Sequence, residues 1–182
     1  MAAHITRPPL MGSNALSRLQ RDALSKPGIS SSIVLLGIND IAWPGTPFAP
    51  ETSLPNIEQL TAGFTQLVKQ AHMQGVSMID ATIPPFQGTL EGTRITHYYS
   101  DEKNQLRLAL NEWIKTSQAF DNVIDFDSIL RYANALNHIA PEYDSGDYIH
   151  PEEAGNKEMA YGFELNVLNN ALSRSKNSPQ NW

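Results

Sequence analysis

Ser31-Ser32-Ile33-Val34-Leu35-Leu36-Gly37-Ile38-Asn39-Asp40 runs from two hydroxyl residues through four aliphatic ones to a glycine, and then to an amide and a carboxylate. An unbroken apolar run bounded by turn residues predicts a strand over Ser31 to Gly37, covered on both faces as in a parallel sheet. On its N-terminal side, Leu16, Leu19, Ala23 and Leu24 make one stripe, so a helix is expected from Ser13 to Leu24, stopped by Lys26-Pro27-Gly28. Residues 1–12 read as irregular. On the C-terminal side, four prolines between Pro44 and Pro55 mark a loop. Ile57, Leu60, Phe64, Leu67, Val68 and Ala71 then recur at helical spacing, which predicts a helix from Asn56 to Met73 closed by Gly75.

The same reading carries to the end of the chain. Val76 to Thr82 is a second strand, followed by a long polar loop through Tyr99. Ser100 caps a helix reaching Thr116, with Leu106, Leu110, Trp113 and Ile114 facing inward. Val123 to Phe126 is a third strand, Ser128 to Leu136 a short helix, and Asn137 to Ile149 a loop. Pro151 suits the first position of a last helix whose stripe is Met159, Ala160, Phe163, Val167 and Leu168. Apolar strands joined by helices predict a three-layer α/β fold with a parallel sheet. One domain over residues 1–172 and a frayed tail over 173–182 are expected.

Composition narrows the functions. Of 182 residues, 13 are basic and 19 acidic, a net charge of −6, which argues against a sequence-independent hold on nucleic acid or an anionic membrane. With no cysteine, a thiol nucleophile, a zinc–thiolate site and a disulfide framework are excluded. No run of 18 apolar residues occurs, so no membrane span is expected. The first ten residues lack the apolar stretch of a secretory signal, and a cytoplasmic location is expected.

Ligands of open parallel sheets bind beyond the carboxyl ends of the strands. Two segments are expected there: Gly37-Ile38-Asn39-Asp40 and Asp147-Tyr148-Ile149-His150-Pro151. An aspartate three residues before a histidine can orient the imidazole through one ring nitrogen and leave the other as a base. An asparagine amide at a strand end can donate to a developing oxyanion. Each motif alone is a common turn. Together, at the expected strand ends of one α/β chain and in this order, with Asp147 lying 107 residues after Asp40, they form a specific pattern.

On these segments the chain resembles the SGNH hydrolases, the GDSL esterases and lipases. The resemblance runs from Leu10 to Phe163 and is carried by residues 33–41 with Trp43-Pro44-Gly45, by Ala81-Thr82-Ile83-Pro84-Pro85-Phe86, by residues 123–127 and by residues 143–151. It implies a flavodoxin-like three-layer fold, shortened at the N-terminus, and hydrolysis of small acyl or acetyl esters without metal or organic cofactor. It also implies that Asn39 is the oxyanion donor and that Asp147 and His150 are the acid and base of a triad. The family's G-D-S block with the nucleophilic serine has no counterpart, nor has its glycine oxyanion donor. Met11-Gly12-Ser13-Asn14-Ala15-Leu16 resembles the segment that follows both.

Ser13 is the replacement nucleophile to consider, with helix capping as its alternative role. Trp43, Tyr98 and Tyr99 belong to loops expected to rim the site, where they either line a substrate pocket or pack back onto the domain. Thr93, Arg94 and His97 share that loop. The expected partner is a small ester. A strand at Ser31–Gly37 with one open edge is also expected to pair with another copy of the chain, giving a homo-oligomer. The rival to an esterase is a protein that keeps the pocket, binds a ligand and does not turn it over.

Overall fold

Side-chain alternation along one central strand divides the core in two. The computed structural model describes residues 13–163. In chain order these form α1 (Ala15–Leu19, extended by a π-helical turn over Gln20–Leu24), β1 (Ser31–Val34), α2 (Ile38–Ala42), α3 (Ile57–His72), β2 (Ser77–Ala81) and α4 (Asp101–Thr116). They continue as β3 (Asn122–Ile124), α5 (Phe126–Leu130), β4 (Arg131–Tyr132), β5 (Ala135–Ile139) and α6 (Glu153–Tyr161). Three parallel strands pair in the order β1-β2-β3, with Val34 opposite Asp80 and Asp80 opposite Val123. Met78 points to one face and joins Leu60, Phe64, Leu67, Leu110 and Ile114 of α3 and α4. Ile79 and Ala81 point to the other and meet Ile124, Phe126, Ile129 and Met159. The three expected layers are therefore present.

Local signals place the helices. Asn56 accepts from the Gln59 N–H at 2.9 Å while the Gln59 side chain accepts from the Asn56 N–H, closing a capping box on α3. Ser100 caps α4 through the Lys103 N–H. Asn14, one residue beyond Ser13, caps α1.

Several boundaries differ from expectation. The strand predicted over Ser31–Gly37 ends at Val34, because Gly37 turns left-handed at φ +101° and starts α2. It is not covered on both faces: Val34 is buried, whereas Ile33 and Leu35 are 49% and 42% exposed. The expected helix Ser128–Leu136 stops at Leu130. A tight β4–β5 hairpin takes its place, with Tyr132 opposite Ala135. The loop after β2 is only half polar: Ile83, Phe86, Thr89 and Tyr98 are buried. Val167, Leu168 and the tail 173–182 lie outside the described residues.

Candidate active site

The carboxyl ends of the strands open into a cavity of about 520 Å³. Its walls are largely apolar, with Leu36, Ile38, Trp43, Phe48, Pro84, Leu90, Tyr98 and Ile149 among them. Asn39, Asp147 and His150 line the same cavity.

The histidine is set by a loop that satisfies itself. Asp144 Oδ1 accepts from the N–H groups of Gly146 and Tyr148, and Asp147 Oδ1 accepts from those of Ile149 and His150, at 2.8–3.1 Å. Such Asx turns let a short loop reverse direction without orphaning its N–H groups. The second Asp147 oxygen, Oδ2, accepts from His150 Nδ1 at 2.5 Å. Burial works against the charge on Asp147. The hydrogen bonds from the His150 side chain and from the backbone of His150 and Ile149 outweigh it and hold the carboxyl at about 2. An ionised Asp147 fixes the proton of the imidazole on Nδ1. Nε2, which makes no hydrogen bond among the described residues, is left as the basic nitrogen.

Tyr148, between acid and base, has φ +64°, a conformation that non-glycine residues seldom adopt. Two neighbours hold it. The Thr89 hydroxyl lies 2.8 Å from the Tyr148 carbonyl, and the Tyr148 ring lies flat on Gly88, where an added Cβ would come within 3.1 Å of it. Asn39 is carried differently, in the first turn of α2 behind the left-handed Gly37.

Trp43 and Tyr98 form one wall, joined by a hydrogen bond from the indole to the tyrosine hydroxyl. Burial raises the Tyr98 pKa, and the charge of Asp147 adds to the effect. Tyr99 is not in the lining; its ring packs edge-on against Phe86, with centroids 5.1 Å apart. Thr93, Arg94 and His97 are exposed. Ser13 is also exposed and lies outside the cavity. Among the described residues that line the cavity there is no serine. Its hydroxyls are those of Tyr98 and Thr89, and the latter is taken up by the carbonyls of Phe86 and Tyr148.

A further set of residues escapes a reading based on apolar periodicity. Lys103, Asn104, Arg107 and Asn111 form a buried polar stripe on α4. Arg107 donates to the Ile83 carbonyl at 2.9 Å and to Asp127 at 2.5 Å, and the Asn111 amide receives the Ile83 N–H and donates to its carbonyl. Pro84 and Pro85 have no N–H, so this wall of the cavity is anchored by side chains through Ile83. The signal is the i, i+4, i+8 spacing of Lys103, Arg107 and Asn111 along α4.

With this geometry in view, a model of the GDSL-like lipase/acylhydrolase family matches residues 10–158. The chain belongs to that family. The match takes in Asn39, Asp147 and His150, and it makes the chain a hydrolase of the broad esterase class. Among solved structures it is similar to an aryl esterase from M. smegmatis, at 14% identity over 92% of this chain and 74% of that one, with a TM-score of 0.67. It is similar to a carbohydrate acetylesterase from Sinorhizobium meliloti, at 15% identity over 91% and 74% of the two chains, TM-score 0.63. A GDSL-like lipase from Bacteroides thetaiotaomicron matches at 15% identity over 85% and 69%, TM-score 0.62. At these identities the likeness is one of fold. Among curated proteins none matches in sequence.

Proposed function

We propose that the chain is a carboxylic ester hydrolase acting on small, uncharged acyl esters, with His150 as its general base. The observation that carries this reading is the 2.5 Å contact between His150 and the ionised Asp147 at the edge of an apolar cavity. His150 Nε2 takes the proton of the attacking oxygen, Asp147 holds the tautomer and stabilises the imidazolium, and Asn39 donates to the tetrahedral oxyanion. His150 then returns the proton to the leaving alcohol. Apart from this pair, no charged side chain is among the described residues that line the cavity, which suits a neutral acyl or aryl group.

A second reading is favoured by one observation, the lack of a serine among the described lining residues: a protein that binds an ester-like ligand without cleaving it. Fluorophosphonate labelling with intact-mass analysis separates the two, run beside aryl acetate turnover by the wild type and His150→Ala. A stoichiometric adduct lost in His150→Ala identifies a hydroxyl nucleophile, and the labelled peptide names it. Turnover that depends on His150 without an adduct identifies water as the attacking group. Turnover unchanged in His150→Ala overturns the assignment of the base, and no turnover at all leaves the binding protein.

A further inference from the structure

Lys103 is 6% exposed, and among the described residues no carboxylate forms an ion pair with it. Burying a charge without a counter-ion is costly unless its hydrogen bonds are all made. Here they are. The three N–H groups of an ammonium meet three carbonyls: Ala42 at 2.7 Å, Pro44 at 2.8 Å and His97, with Tyr98 farther off at 3.5 Å. Two of these carbonyls bracket Trp43 and the third directly precedes Tyr98. We propose that Lys103 is a positioning residue of the cleft: by gathering these three carbonyls it fixes the Trp43–Tyr98 wall that receives the apolar part of the substrate.

The backbone supports this role. His97 has φ +62°, a left-handed conformation that residues other than glycine seldom adopt, and its carbonyl is one of those held by Lys103. Without the ammonium, the buried Ala42 and Pro44 carbonyls and the part-buried His97 carbonyl lose this donor, and His97 is released to relax toward negative φ. Tyr98, the next residue, moves with it. Trp43 is coupled in turn, through its indole bond to Tyr98 and its packing on Phe48 at 5.3 Å. The Asp147–His150 pair is carried by a separate, internally bonded loop, so chemistry and apolar binding separate. Burial draws the Lys103 pKa down to about 8, with Glu102 opposing it, so the group is still largely charged at neutral pH.

The inference rests on reading the cavity as the acyl- or aryl-binding site, and its test includes a measurement that needs no turnover. Binding of 2-naphthol is followed by fluorescence, and hydrolysis of 2-naphthyl acetate is measured alongside it. Lys103→Met is expected to weaken 2-naphthol binding about tenfold and to raise KM by a similar factor, leaving kcat within about twofold. In Lys103→Ala, n-propylammonium replaces the lost atoms and is expected to restore binding, whereas 1-propanol is not. Should the Met variant not fold, Lys103→Gln, which keeps two donors, is titrated instead and is expected to bind more weakly than wild type. A folded variant that binds 2-naphthol as tightly as wild type overturns the proposal, as does rescue by 1-propanol equal to that by the amine. Absence of wild-type turnover overturns only the esterase reading, because the binding titration still decides the role of Lys103.

Discussion

Asp80 lies near the C-terminal end of β2, fully buried, and its carboxyl accepts one hydrogen bond, from the Ala81 N–H at 2.9 Å. Its other oxygen has no partner among the described residues. Burial pushes its pKa well above the ordinary 3.8, with the Ala81 bond only partly opposing, so the fold prefers the neutral acid. The sign of the pH effect follows. As pH rises past 3.8 the unfolded chain gives up this proton while the folded chain keeps it, so the folded state binds more protons and stability falls. The fall continues until the pH reaches the raised folded value. Asp80→Asn copies the shape of the neutral acid and cannot ionise. Urea midpoints of the two proteins are therefore expected to coincide near pH 4 and to separate by pH 7.5, with the variant the more stable. A variant that loses stability equally at both pH values would show that Asp80 is held by a partner and not merely tolerated. Asp147 works the opposite way. Its depressed pKa lends stability that is present above the unfolded value and is lost only as pH falls toward about 2.

Helix α6 bears on the site through its smallest residue. A Cβ at Gly155 would lie 2.8 Å from both the Tyr143 carbonyl oxygen and the Pro151 Cβ, so the helix rests directly on the ends of the 143–151 segment. On a free helix Gly→Ala would add roughly 1 kcal/mol. Here the contact with backbone outweighs that gain, and Gly155→Ala is expected to cost about 1–3 kcal/mol. Because the strain falls on the segment carrying His150, kcat is expected to fall with it; thermal melts and aryl acetate kinetics check both. Elements whose cause is local were legible in the sequence. The apolar spacing of Ile57, Leu60, Phe64, Leu67, Val68 and Ala71 announces α3, and the Asp147–His150 contact spans three residues. The β4–β5 hairpin was not legible, since residues 131–139 have neither a glycine turn nor clean alternation. Nor was the polar stripe of α4. Lys103 is buried by the Ala42 carbonyl 61 residues away and Arg107 by the Ile83 carbonyl 24 residues away, and helical periodicity cannot see either. A lysine and an arginine on a helix face ordinarily mean solvent.

For the whole molecule the unresolved force is at the edge of the sheet. Among the described residues β1 pairs with β2 on one side and with no strand on the other. Ile33 on this strand and Leu35 just beyond its end are half-exposed, although edge strands are commonly protected by charges or proline. A groove between α1 and β1 lies beside this edge and shares Leu35 and Leu36 with the active-site cavity. We propose that a second copy of the chain pairs here. Isologous pairing about a two-fold axis would join the two three-stranded sheets into one and bury Ile33 and Leu35 of both copies. Sedimentation velocity is expected to show a dimer whose population falls on dilution, and Ile33→Lys is expected to give the monomer at all concentrations. Ile33 is half-exposed and lies outside the active-site lining, so the charge should leave the melting temperature of the monomer unchanged. Specific activity ties the two scales together. If a copy seated on the edge also closes the cleft, KM for an aryl ester rises as the wild type is diluted, and Ile33→Lys shows the higher KM throughout. A wild type that sediments as a monomer at micromolar concentration, with KM independent of dilution, would show that the edge is covered from within the chain.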